Sequence, residues 1–277
     1  MRFVLVTDTH LAAEAAPCNG NWAAAKAFAG RAGADLTIHL GDITLDGARD
    51  PSQHAFALGA CADWPTPLRY LPGNHDIGDN PTAVGPAPKQ PVTEQSLQAY
   101  RAILGEDRWR FDAAGWVFIG LNSLVMNTGL ASEAEQFDWL ASQLSSTAGK
   151  PVALFLHKPL YLNAPDDPEL AATSIRYVPM PARSRLIEML GAVDLRLVGS
   201  GHVHQRRDFT FARTRQVWAP SAGFIISDAR QEVIGIKRVG LVEYRFQPDS
   251  FEVRHVRAPG QIDVDLDSML ALIPNHY

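Results

Sequence analysis

The stretch RFVLVTDTH, residues 2–10, holds four apolar residues in a row and then stops on two chemically capable side chains, Asp8 and His10. A strand with one wet face alternates apolar and polar residues. A run without alternation reads as a strand covered on both faces, as in parallel sheets packed between helices. The pattern recurs along the chain. DLTIHLGD (35–42) ends at Asp42, and LRYLPGNHD (68–76) ends at Asn74, His75 and Asp76. PVALFLHK (151–158) delivers His157, and VDLRLVGSGHVH (193–204) delivers His202 and His204.

Ala-rich, helix-like stretches lie between these runs, at 22–33, 52–64, 132–147 and 181–192. The third opens on Ser132 with Glu135 three residues on, a capping-box pattern. Strand–helix alternation predicts an α/β fold with a mostly parallel sheet. In such sheets ligands sit beyond the carboxyl ends of the strands. The expectation is that five strand ends bring their polar residues to one rim of one sheet. RRDFTFARTRQVWAP (206–220) and KRVGLVEYRFQPDSFEVRHVRA (237–258) alternate instead, with QPDS as a turn. They read as antiparallel strands of a second sheet or its edge. The stretches 77–95 and 158–181 are Pro-rich and aperiodic, as functional loops are.

Composition narrows the classes. The 277 residues are 46% hydrophobic and 20% charged, which suits one large domain over 1–277 and argues against disorder. The formal net charge is −5 and Lys and Arg form no block, so a nucleic-acid footprint is absent. An anionic substrate would then need another source of positive charge. No apolar run approaches the roughly 20 residues of a membrane span. Met1 leads straight into a strand-like run, leaving no room for a signal peptide. Two isolated cysteines, Cys18 and Cys61, fit a reducing compartment. The expectation is a cytoplasmic protein, possible as a homo-oligomer.

Taken singly, each cluster has a plainer reading. Asp8 and His10 could be a cap and a packed histidine, Gly41-Asp42 a turn, and His157 a loop residue. His202 and His204 share a strand face, which suits a metal. Together, Asp8, His10, Asp42, Asn74, His157, His202 and His204 offer three oxygen donors and four imidazoles, a set first-row transition metals favour. Seven donors exceed one ion and suit two, roughly 3.5–4 Å apart, as in two-metal hydrolysis. His39 reads as a packed strand histidine. His54, His255 and His276 read as packing or surface residues, and Trp22, Trp64 and Trp139 as core. Asn122 and Ser123 end a strand and are placed near the site rim.

At this point the chain resembles the calcineurin-like metallophosphoesterase superfamily. Its blocks read here as DTH (8–10), GD (41–42), GNHD (73–76), H (157) and GHVH (201–204), in order. LNSLVMNTGLASEAEQFDWLASQL (121–144) is similar to the class containing bacterial cyclic-nucleotide phosphodiesterases and glycerophosphodiesterases. The resemblance implies a four-layer αββα sandwich of two mixed sheets flanked by helices. It implies two metal ions, with Mn, Fe and Zn as candidates. Asp8, His10 and His204 would hold one, Asn74, His157 and His202 the other, and Asp42 would bridge both. It further implies phosphodiester hydrolysis by a metal-bridging hydroxide, with His75 giving a proton to the leaving oxygen. Phosphomonoester or pyrophosphate chemistry, or a non-catalytic scaffold, are the alternatives. Gly73 is expected to allow a sharp turn, and Asp76 to accept a hydrogen bond from an imidazole.

Overall fold

A computed structural model describes residues 1–81, 87–167 and 174–272. Its strands are β1 (Arg2–Val6), β2 (Leu36–His39), β3 (Leu68–Tyr70), β4 (Trp109–Ala113), β5 (Trp116–Leu121), β6 (Val152–Leu156), β7 (Leu195–Ser200), β8 (Arg207–Phe211), β9 (Thr214–Trp218), β10 (Leu241–Gln247) and β11 (Ser250–Val256). The helices are α1 (Ala16–Ala32), α2 (Ser52–Cys61), α3 (Asn74–Ile77), α4 (Glu94–Leu104), α5 (Ala131–Ser145), α6 (Ala182–Leu190) and α7 (Leu266–Leu272).

The strands form two sheets, in the orders β11-β10-β1-β2-β3 and β4-β5-β6-β7-β9-β8. β1, β2 and β3 are parallel, as are β5, β6, β7 and β9. β1, β2, β6 and β7 are the motif strands whose apolar runs do not alternate, whereas β9 comes from an alternating stretch and still pairs parallel to β7. The single rim is therefore corrected: three motif strands belong to one sheet and two to the other. The two late hairpins also separate. β8–β9 extends the six-stranded sheet through β9, which runs parallel to β7. β10–β11, closed by the expected Pro248-Asp249 turn, pairs antiparallel with β1.

Burial explains why two sheets form. Phe3 and Leu5 of β1 pack with Phe118, Phe155 and Tyr244 in a core between the sheets. Val4 and Val6, on the opposite face, pack with Trp22, Ala57 and Tyr100 of α1, α2 and α4. Val117, Ile119 and Leu154 face α5 and α6 through Phe137, Leu140 and Leu186. Helix, sheet, sheet, helix is the αββα order that the resemblance implies.

Two local expectations change. α1 starts six residues earlier than its Ala-rich run, at Ala16 with Pro17 in the first turn, where a missing N–H costs nothing. α5 has Leu130 at its N-cap, and no side chain caps it. The Ser132–Glu135 capping box does not form. Ser132 donates to Glu94, while Glu133 accepts from the amides of Asn127 and Gly129. Trp22 stacks on Trp64 at 4.1 Å, in the core as expected. Among the described residues, no helix is long and apolar enough to cross a membrane.

Candidate metal centre

All seven candidate donors lie just past strand ends. Asp8 and His10 follow β1, Asp42 follows β2, and Asn74 opens α3 after β3. His157 follows β6, and His202 and His204 follow β7. Backbone bonds stitch these ends together. Asp8 N donates to Gly41 O, His10 N to Asp42 O, and Gly201 N to His157 O, each within 3.0 Å. Across the sheets, His202 N donates to Asp8 Oδ2 at 3.0 Å, and Ser221 Oγ donates to Asp8 O.

The backbone at the donors is unusual. Asp8 (φ 53°), His10 (49°), Asp42 (50°), His202 (68°) and His204 (58°) all adopt left-handed conformations. Such conformations cost about 1–3 kcal/mol each and persist where surrounding structure enforces them. Gly73 departs from expectation. Its φ of −106° and ψ of 179° are open to any residue. What demands glycine is space, because a Cβ there would overlap the Asp42 carboxylate and amide.

Donor atoms gather in two groups that share Asp42: Asp8, His10, Asp42 and His204, and Asp42, His157 and His202. Asn74 Oδ1 joins the second group, 3.3 Å from His157 Nε2. Second hydrogen bonds orient the rings. His157 Nδ1 donates to Leu40 O at 2.8 Å and His204 Nδ1 to Phe224 O at 3.0 Å, turning both Nε2 atoms inward. His202 is reversed: Nε2 donates to Ile175 O and Nδ1 faces His157 Nε2 at 3.1 Å. His10 Nε2 lies 3.3 Å from His204 Nε2. Burial pushes His10 and His202 well down, so both rings are neutral. Burial also opposes charge on His157, but Asp42 and the other nearby carboxylates outweigh it and push this ring up to about 9.

This arrangement fits metal ions. Ring nitrogens that face each other at 3.1–3.3 Å must share a proton or hold a cation between them, and a metal ion meets that demand at both pairs. The buried Asp8 Oδ1 and His10 Nδ1 have no hydrogen-bond partner among the described residues. Buried polar atoms are rarely left so.

His75 lies beside this cluster, on a cavity of about 360 Å³ that also reaches His10, Asp42, His202 and His204. Its amide donates to Asp42 Oδ1 at 2.9 Å and its Nδ1 to Leu45 O at 2.7 Å. The rings of His75 and His10 meet edge to face at 4.7 Å. Asp76 needs correction. Its buried carboxylate accepts from the amides of Gly73, Ile43 and Thr44 and from Thr44 Oγ1, with no imidazole among its partners in the described residues. It clamps the turn after β2 to the turn after β3. The imidazole of His54 reaches only its backbone oxygen, at 2.9 Å. His39 is a packed strand residue bonded to Thr9 Oγ1, and burial pushes its pKa down to about 3. His276 lies outside the described residues. Asn122 and Ser123 do not line the cavity. They bond Asp107 and the Lys158 amide.

Sequence reading passed over Lys158. It is fully buried, with Nζ 2.5 Å from Asp79 Oδ1 and 2.7 Å from Asn80 Oδ1. Burial pushes its pKa down and Asp79 opposes that shift. Asn80 in turn donates to the carbonyls of Ser123 and Met126. The ammonium thus ties the chain leaving His157 to the chain leaving α3. Nothing local in the sequence marks this pairing, which spans 79 positions. Lys158→Met should destabilise by about 2–3 kcal/mol, below the roughly 3–5 kcal/mol of a fully buried pair, because the Asp79 side chain is 27% exposed. A urea midpoint unchanged from wild type would show that the pair contributes no net stability.

Two donor groups sharing one carboxylate on an αββα sandwich define the dimetal phosphoesterase class. The calcineurin-like phosphoesterase family matches residues 1–206. This chain belongs to that family. A mouse (Mus musculus) protein named serine/threonine-protein phosphatase CPPED1 is 28% identical over 167 residues, covering 58% of this chain and 49% of the mouse protein. The chain thus matches about half the length of that curated relative. In fold it is similar to purple acid phosphatase PPD1 from yellow lupin, with a TM-score of 0.67, 13% identity, and coverage of 98% of this chain and 55% of that one. A dimetal phosphatase from Danio rerio gives a TM-score of 0.64 at 13% identity, covering 95% and 97%.

Proposed function

We propose that the protein is a phosphoric ester hydrolase that works with two metal ions and prefers a phosphodiester. The observation that carries the reading is the convergence of seven inward-facing donors beside His75. Asp8, His10 and His204 would hold one ion, Asn74, His157 and His202 the other, and Asp42 both. Mn, Fe and Zn suit this mixed nitrogen and oxygen set. When bound, the ions supply a water ionised near neutral pH and neutralise charge on the phosphoryl oxygens.

The chain's own residues do the rest. Asp42 Oδ1 and Leu45 O fix the His75 backbone and ring. With Nδ1–H donated to Leu45 O, Nε2 becomes the nitrogen that gives a proton to the departing oxygen. Diester preference rests on the similarity of residues 121–144 to diesterases. The name of the mouse relative, a protein phosphatase, favours a monoester as the second reading. Two free, buried cysteines support a cytoplasmic setting.

The test compares bis(4-nitrophenyl) phosphate, 4-nitrophenyl phosphate and cyclic AMP on protein of measured metal content. The expected kcat/KM is higher for the diesters by roughly tenfold or more. A monoester preference would overturn the diester assignment. Two bound ions with no hydrolysis of any ester would leave a metal-binding scaffold.

A further inference from the structure

The cavity over the metal cluster has a wall built from two separate segments. One is the 3₁₀ turn Ser174–Arg176, held over the site by Ile175 O, which accepts from His202 Nε2 at 3.1 Å. The other is the segment around Arg230 and Gln231, held by Gln231 Nε2 donating to Val203 O at 3.0 Å. Both anchors therefore grip the His202–His204 turn. An ion pair between Arg176 and Glu232 joins the two segments to each other. Arg176 and Arg230 both line the cavity, together with His75, His202 and His204.

These arginines change the charge account. The chain is net negative, and the metal cluster contributes Asp8 and Asp42. Arg176 and Arg230 are nevertheless the side-chain cations on the described cavity wall, and they stand on the wall with the floor left to the metal donors. Among the described residues, each is paired with one exposed carboxylate. Arg176 Nη1 meets Glu232 and Arg230 Nε meets Asp267, whose side chains are 55% and 53% exposed. A guanidinium carries five N–H donors in a planar fork, so one carboxylate contact leaves most of that capacity for a ligand. Paired with water-facing partners, these cations are already oriented and their pairs are cheap to exchange. Ile175, Phe224 and Ile226 add apolar surface to the wall, and Gln231 a neutral amide.

We infer that Arg176 and Arg230 form an anion subsite that selects phosphate esters carrying a second negative charge, a carboxylate or a further phosphate, on the part of the substrate remote from the metals. This deepens the phosphoesterase reading and rests on it. The scissile phosphate occupies the floor, and the second anion meets the two guanidiniums. Neutral or cationic esters lose that contact.

Two matched pairs of substrates test it. Glycerophosphoserine and glycerophosphoethanolamine are diesters that differ by one carboxylate. Phosphoserine and phosphoethanolamine are monoesters that differ in the same way. Hydrolysis and equilibrium binding by calorimetry are measured for the full chain with Mn²⁺ present. Wild type should favour the carboxylate member by roughly tenfold or more, the scale of a charge-assisted bidentate contact partly screened by water. Arg176→Gln with Arg230→Gln should remove that preference while lowering kcat/KM for the ethanolamine member only about threefold. The corresponding double Lys variant should restore part of the preference, and thermal melts check that each variant folds. Equal rates and equal binding of the two members by wild type would overturn the subsite, as would a preference that survives the double Gln variant. Preferential binding without hydrolysis of either pair would uphold the subsite and defeat the esterase reading instead.

Discussion

Asp42→Ala should empty both metal positions, whereas His10→Ala should deplete mainly one. Asp42 is the residue common to both donor groups. Its Oδ2 lies 3.3 Å from His157 Nε2 and 4.0 Å from His10 Nε2. Its other oxygen accepts the His75 amide, so the same substitution also loosens the ring that faces the ester. Loss of both ions removes several kcal/mol of charge stabilisation, a fall in kcat/KM of about 10³-fold or more. Elemental analysis of purified variants reads the first effect directly. If Asp42→Ala keeps two tightly bound ions per chain, Asp42 is not shared between them.

His75→Ala should leave both ions in place and damage alkyl esters far more than nitrophenyl esters. A nitrophenolate departs without help, while a ribose or glycerol alkoxide needs a proton as the bond breaks. General acid catalysis is worth about 10²–10⁴-fold, and that whole factor should appear only for the alkoxide. The geometry suits such a donor, because Leu45 O fixes one ring nitrogen and the ring stands on the cavity wall. A purely electrostatic imidazole would instead stabilise the phosphoryl oxygens alike for every ester. A leaving-group series on wild type and variant separates the two roles. Equal losses across the series would remove proton donation and leave His75 as a phosphate contact.

How far the sequence foretells this site depends on the range of the interaction. Asp8, His10, Asp42, Asn74, His157, His202 and His204 are legible because each stands at the end of one of five apolar runs. The strand pattern and the donor type are local facts. The mixed sheets were only half legible. Alternation identifies β8 to β11 as hairpins, but the choice of sheet depends on whether a hairpin finds β1 or β7 as its neighbour. Lys158 with Asp79, and the carbonyls of Leu40, Phe224 and Ile175 that set the imidazole tautomers, are long-range pairings with no local trace. Gly73 was legible as necessary and illegible as to reason. Its own dihedrals are ordinary, and the constraint is the neighbouring Asp42. Asp76 departs from its expected imidazole partner because a carboxylate next to a histidine in sequence suggests one, while the fold supplies four backbone and hydroxyl donors from the turns around it.

The left-handed backbone at Asp8, His10, Asp42, His202 and His204 carries a consequence for anyone who edits this site. Asp, Asn and His are the side-chain-bearing residues that best tolerate that conformation, and Asp and His are also good metal donors. One small alphabet satisfies two demands, so coordination and chain direction cannot be varied independently with ordinary replacements. Alanine removes the donor and keeps the backbone penalty. Glycine removes the donor and relieves it, by about 1 kcal/mol per position. An alanine scan of this centre would therefore charge a conformational cost to the metal. Alanine and glycine placed in parallel at Asp42 would return the two costs separately, and the glycine chain should melt higher than the alanine chain once a chelator has removed the ions.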